Sequence, residues 1–278
     1  MGGSLYGRVA IVTGGSRGLG RVMAETLLDA GCRVLITAHH EPQALDEAGH
    51  WAGAHAAAGR LATLRADVTS PEDCAATIAC AVERFGRIDV LVNNAGVGMG
   101  QVDPGAHNRH GTFWHTPAEA WRKMVDTNLN GPFYMARAAV PHMIERGFGR
   151  IVNISTSLPT MIRAGYSPYG PTKAGLEIAT AIWARELAGT GVTCNALLPG
   201  GATDTRMIPG EGRGRATYDG APLLAPDIMR APVRWLASER SSAWTGRRFI
   251  AKLWDPALPD DEAVLKSAMP AQDVPATI

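Results

Sequence analysis

The chain has 278 residues, 46% of them hydrophobic, and a net charge of +1. That length and apolar content allow one sizeable core, and the charge balance gives no pull toward nucleic acid or anionic membrane. No run approaches the roughly 18 apolar residues of a membrane span. Four cysteines (Cys32, Cys74, Cys80, Cys194) lack metal-type spacing and read as reduced thiols of a cytosolic protein, with no signal-peptide pattern at the N-terminus.

In chain order, short β-type runs alternate with longer helical patterns. Residues 8–13 (RVAIVT) read as a buried strand, 18–30 as a helix, 33–37 as a strand, and 43–57 as an Ala-rich helix. A strand at 61–66 follows, then a helix at 71–85 opened by Ser70 and Pro71, and a strand at 88–92. The second half gives helices at 117–127 and 132–146, a strand at 150–154, a helix at 169–187, a strand at 192–198, a helix at 226–237 and a strand at 248–251. Continuous apolar strands separated by helices mean βαβ units and a parallel sheet covered on both faces. With no repeat and no linker, one doubly wound α/β domain over residues 1–254 is the economical reading, followed by a tail at 255–278.

Residues 13–20 (TGGSRGLG) fall straight after the first strand and open the first helix. Gly14 can turn the chain sharply, Gly18 lets backbone approach a pyrophosphate, and Gly20 permits close helix–strand contact. The helix N-terminus then offers free N–H groups and a positive dipole end to the phosphates. Further on, Tyr169 and Lys173 are four apart and share one helix face. An ammonium beside a phenol favours the phenolate, and a tyrosine tuned that way can pass a proton to or from a substrate oxygen. Pro171 is tolerated only in the first turn, so this helix must begin near residues 167–169.

Taken together, TGGSRGLG, Asp67, NNAG at 93–96, Asn128, YGPTK at 169–173 and the Pro199 and Gly200 pair resemble the short-chain dehydrogenase/reductase family, from about residue 8 to residue 249. The resemblance implies a Rossmann-type seven-stranded parallel sheet, a nicotinamide dinucleotide and reversible oxidation of an alcohol to a carbonyl. It also implies a homodimer or homotetramer, paired through the helices expected at 132–146 and 169–187. By the same resemblance Tyr169 is the acid/base, Lys173 holds the nicotinamide ribose and lowers the tyrosine pKa, and Asn128 links the lysine to solvent through a backbone kink and a water. The fourth member is normally a serine thirteen positions before the tyrosine, and here that position is Thr156. Threonine keeps the hydroxyl while its methyl narrows the pocket. Ser157 is the alternative, and Ser155 should face the other side of the strand.

For the cofactor, the resemblance assigns Gly14, Ser16, Arg17, Gly18, Leu19 and Gly20 to the phosphates. Asp67 and Val68 would frame the adenine, Asn94, Ala95 and Gly96 pass beneath the dinucleotide, and Thr205, after Pro199 and Gly200, reach the carboxamide. The end of the second strand carries Ala38, His39 and His40, with no carboxylate to repel a 2′-phosphate. Arg17 can pair with that phosphate and His39 can add a donor, so NADP(H) is expected over NAD(H). The substrate would be a ketone or secondary alcohol, with lyase or isomerase chemistry and a non-catalytic dinucleotide sensor as alternatives. No metal site is expected: Asp103, His107, His110 and His115 read as polar loop residues. Residues 200–225, with Arg206, Arg213 and Arg215, read as a lid, and Trp114, Met161, Ile162 and Met207 as candidate walls.

Overall fold

The computed structural model describes residues 5–39, 42–101, 111–208, 217–218 and 220–269. Its sheet has seven strands: β1 (Val9–Thr13), β2 (Arg33–Ala38), β3 (Leu61–Arg65), β4 (Val90–Asn93), β5 (Gly149–Ile154), β6 (Val192–Leu198) and β7 (Arg248–Ile250). They lie in the order β3-β2-β1-β4-β5-β6-β7, every neighbouring pair parallel. The order reverses between β1 and β4. In doubly wound sheets, ligands bind outside the carboxyl ends of the strands at that switch point.

The strands read as unbroken apolar runs because both faces are covered. Along β1, Ala10 and Val12 enter one core with Met23, Leu27 and Leu28 of helix α1 (Gly18–Asp29). Val9 and Ile11 enter the other with Ile78 and Phe85 of α2 (Pro71–Phe85). Full burial of each large aliphatic is worth about 1.5–3 kcal/mol, so β1 anchors both layers and fixes where its C-terminal turn emerges. Helix α2 begins as its sequence dictates: Ser70 Oγ accepts the Asp73 amide at 3.0 Å and Pro71 takes the first turn.

In the second half, α3 (Ala118–Val125) runs through a π-helical turn at Asp126–Asn130 into α4 (Gly131–Glu145). Helix α5 (Tyr169–Glu186) begins at Tyr169, which leaves Pro171 in the first turn as its missing N–H requires. Helix α6 (Arg230–Leu236) and α7 (Asp260–Ser267) complete the layers.

Two sequence expectations are corrected. The single helix expected at 43–57 is three short ones, Pro42–Asp46, Ala48–Ala52 and Ala54–Ala57. The chain leaves helical geometry at Gly53 (φ 48°, ψ −119°), where glycine opposes the helix that the alanines favour. The stretch after residue 254, read from sequence as a tail, folds back in part onto the domain. Ala263 and Val264 of α7 are buried in the core that holds α1, Ser267 Oγ donates to the Ile250 carbonyl at 3.0 Å, and the Met269 amide donates to the Arg248 carbonyl at 2.7 Å. The fold therefore runs on past residue 254.

Candidate active site

The turn after β1 is shaped by two glycines with positive φ, Gly14 (62°) and Gly18 (54°), a region that side chains disfavour. A Cβ on Gly20 would run into the Gly14 carbonyl oxygen, so only glycine lets α1 start this close to the turn. Arg17 precedes the helix and makes no side-chain cap, leaving first-turn amides for another acceptor. The turn is bolted to the end of β4. Asn94 Nδ2 donates to the carbonyls of Thr13 (2.9 Å) and Gly14 (3.1 Å), while Thr13 Oγ1 accepts from the amides of Asn94 and Ala95, both at 3.0 Å. Ser16 is buried within the turn and Leu19 packs against the core. Opposite, Thr205 approaches Gly18, its Cγ2 3.5 Å from where a Cβ would stand. Pro199 and Gly200 end β6, and the Pro199 carbonyl accepts the Lys252 amide at 3.0 Å.

At the far end of the crevice, His39 Nε2 lies 3.4 Å from Asp67 Oδ2, and Asp67 Oδ1 accepts from the Thr69 amide and hydroxyl at 2.9 and 2.8 Å. Val68 is buried beside them. The two residues assigned to the adenosine half thus meet each other across the ends of β2 and β3.

Asn128 sits in the π-helical turn, fully buried. Its side chain clamps one residue at both ends: Oδ1 accepts the Val97 amide at 2.8 Å and Nδ2 donates to the Val97 carbonyl at 2.9 Å. Gly96 passes between Asn128 and Lys173; a Cβ there would lie 3.2 Å from Asn128 Oδ1 and 3.8 Å from Lys173 Nζ. Within the described residues Asn128 hydrogen-bonds Val97 and Thr172, so its link to Lys173 is by proximity across Gly96.

Tyr169 and Lys173 stand one turn apart at the start of α5. Lys173 is buried and its Nζ donates to the Ile154 carbonyl at 2.8 Å, 6.0 Å from the Tyr169 ring centre. The Thr156 side chain is near enough to the Tyr169 phenol to act on its titration. Ser157 Oγ is instead paired with Thr160 Oγ1 at 2.8 Å, and Ser155 Oγ donates to Glu177 Oε1 at 2.6 Å on the other side of the strand. Of the three hydroxyls, Thr156 is the one brought to the phenol. Burial drives the titrations apart from what the sequence suggested. Tyr169 is half-buried, and desolvation pushes its phenol up to about 12. Thr156 pulls the other way and Tyr166 adds to the rise. Lys173 is pushed down to about 8 by burial, with Glu177 holding it up in part. Lys173 is not among the groups that shift the phenol, so the expected depression by the lysine is not seen and desolvation sets the direction.

Three further residues shape this corner without having been signalled by sequence. A Cβ on Gly170 would overlap the Met161 carbonyl, so glycine brings α5 against residues 158–161. Glu177 is one turn beyond Lys173, and Arg248 on β7 pairs with it at 3.0 Å. Among the candidate walls, Met161 is buried, Trp114 and Ile162 are exposed, and Met207 folds toward Gly98. His115 is paired with Thr112 Oγ1 at 2.8 Å. His40, Asp103, His107, His110, Arg213 and Arg215 lie outside the described residues.

The family model for short chain dehydrogenases matches residues 8–215. The chain belongs to this family. Among the relatives of this short-chain dehydrogenase is a 3-oxoacyl-[acyl-carrier-protein] reductase of Vibrio cholerae, 33% identical over 247 residues, which cover 87% of this chain and 95% of the relative. An acetoacetyl-CoA reductase of Allochromatium vinosum is 34% identical over 244 residues, covering 86% and 94%. In three dimensions the short-chain dehydrogenase is similar to a 3-ketoacyl-(acyl-carrier-protein) reductase from Brucella melitensis complexed with NADH, with TM-score 0.75, 26% identity, and coverage of 88% and 96%.

Proposed function

We propose that this short-chain dehydrogenase is an NADP(H)-dependent carbonyl reductase acting on ketones of the 3-oxoacyl type, with Tyr169 as general acid/base. The observation that carries the reading is Tyr169 one turn before the buried Lys173, with Thr156 close to the phenol and Gly96 of the crevice against Lys173. Uncapped first-turn amides of α1 and the absence of a Cβ at Gly14, Gly18 and Gly20 fit the pyrophosphate of a dinucleotide. Arg17 would hold the 2′-phosphate. Asp67 and Val68 would frame the adenine, with His39 beside them. Asn94, Ala95 and Gly96 would run under the dinucleotide, Lys173 would hold the ribose, and Pro199, Gly200 and Thr205 would border the carboxamide. When bound, the nicotinamide supplies or accepts the hydride.

The chain's own residues handle the oxygen. Thr156 donates a hydrogen bond to the substrate carbonyl, and Tyr169 gives its proton as negative charge develops there. In the reverse direction the phenolate takes the proton from the alcohol. A phenol raised to about 12 is protonated at neutral pH, which suits it to the reductive direction. Asn128, by clamping Val97, keeps Gly96 against Lys173. The names of the two reductase relatives favour a β-keto thioester as substrate.

The enzyme is further proposed to be a homo-oligomer paired through α4 and α5, where Phe133 (45% exposed) and Ile182 (49%) stand out of the surface. Sedimentation in solution reads this directly. No described helix is long and apolar enough to cross a membrane. The function is tested by following NADPH absorbance with a panel of ketones, β-ketoesters and β-keto thioesters. Substrate-dependent loss is expected, and none would refute the reading.

A further inference from the structure

Three consecutive residues at the end of β5 are each held by a different side chain, two of which, Glu177 and Arg248, pair with each other. Lys173 Nζ takes the Ile154 carbonyl at 2.8 Å, Glu177 Oε1 accepts the Ser155 hydroxyl at 2.6 Å, and Arg248 Nη2 takes the Thr156 carbonyl at 2.9 Å. Arg248 Nε lies 3.0 and 3.1 Å from the two oxygens of Glu177, with both side chains mostly buried (13% and 18% exposed). The pair joins residues 71 apart in the chain, from α5 and β7. One side of the arginine thus ends on the backbone of Thr156, and the carboxylate it steadies stands one helical turn beyond Lys173.

We infer that Glu177 and Arg248 form a positioning pair that fixes the Thr156 hydroxyl against Tyr169 and supplies the negative field under which Lys173 carries its charge. This rests on the reading of Tyr169 as the acid. Charge-assisted hydrogen bonds away from bulk water are the strong ones, so the strand end is held more firmly than backbone pairing alone would hold it. Among the described residues, the groups around Lys173 are few. Its own helix presents Tyr169 and Glu177, with Tyr166 next to Tyr169. From β7 comes Arg248, behind Glu177; from the π-helical turn, neutral Asn128; and from β5, the Ile154 carbonyl. Asp126 in that turn accepts instead from Asn130. Glu177 is thus the charge whose loss Lys173 should feel.

The test uses the full chain and the variants E177Q, R248M and R248K, each checked for folding by thermal melting. Kinetics with NADPH and a β-keto thioester over about pH 6 to 10 is one readout. The other, on the protein alone, is competitive acetylation of Lys173 with acetic anhydride across the same range, read by mass spectrometry. R248M should lose about tenfold in kcat with little change in KM for NADPH, and R248K should recover part of that loss. E177Q should move both the alkaline limb of the rate profile and the Lys173 labelling midpoint to lower pH by about half a unit or more. A purely structural pair would lower melting temperature and leave the labelling midpoint in place. Wild-type kcat in R248M, or an unmoved midpoint in E177Q, overturns the inference while the proposed reaction stands. If the wild type reduces no carbonyl compound, the proposed reaction falls, and the labelling midpoint alone decides the pair.

Discussion

Replacing Thr156 with valine removes one hydroxyl and keeps the shape of the side chain. In the proposed reaction that hydroxyl, placed beside the Tyr169 phenol, donates to the substrate oxygen as negative charge develops there. A hydrogen bond to a charged group is worth about 1.5–3 kcal/mol. At about 1.4 kcal/mol per factor of ten, Thr156→Val should therefore lower kcat for ketone reduction roughly 10- to 150-fold. Thr156→Ser keeps the donor and should stay near wild type. Ser157→Ala should also be near wild type, because the Ser157 hydroxyl is taken up by Thr160 at 2.8 Å. The assay is steady-state NADPH oxidation, with melting temperature as the control for folding. A Thr156→Val enzyme at full rate, or a Ser157→Ala enzyme that loses more than Thr156→Val, would show that the wrong hydroxyl has been assigned.

Other consequences follow from the same geometry. Gly20→Ala places a methyl against the Gly14 carbonyl; overpacking of this kind costs about 1–3 kcal/mol, so melting temperature should fall and NADPH affinity, read by fluorescence titration, should fall with it. Arg17→Ala should weaken NADPH much more than NADH in the same titration, and equal losses would undo the assignment of the 2′-phosphate contact. Lys173 has a folded pKa of about 8 against an ordinary 10.5, so the native state binds fewer protons than the unfolded state between those values. Its contribution to stability is unfavourable below pH 8 and is relieved as pH rises toward 10.5, by on the order of 3 kcal/mol for a shift of that size. Denaturant unfolding of wild type minus Lys173→Met should show that rise; parallel curves would contradict it.

What could be read in the sequence was local. Alternating apolar runs placed the strands, Ser70 and Pro71 placed the start of α2, and Pro171 forced α5 to begin at Tyr169, all within a few residues of their cause. The glycine turn was legible for the same reason, since positive φ at Gly14 and Gly18 is a property of those residues. The remainder depends on what the fold brings from a distance. Gly170 is needed because of the Met161 carbonyl, and Arg248 meets Glu177 only once β7 lies beside β6. The phenol's titration is not legible from Y-x-x-x-K spacing, which shows a neighbouring cation and hides the desolvation that dominates the shift. Helix α7 was missed because its buried stripe is short, Ala263 and Val264 among acidic neighbours, and its meaning comes from the core it covers.

The most direct measurement of the central claim is NADPH turnover by the Tyr169→Phe enzyme beside NADPH binding by the same protein. Proton transfer by a positioned group contributes about 10²–10⁴-fold, so turnover of a β-keto thioester should drop by at least about a hundredfold while NADPH affinity stays near wild type. A Tyr169→Phe enzyme that reduces the substrate at the wild-type rate would contradict the account.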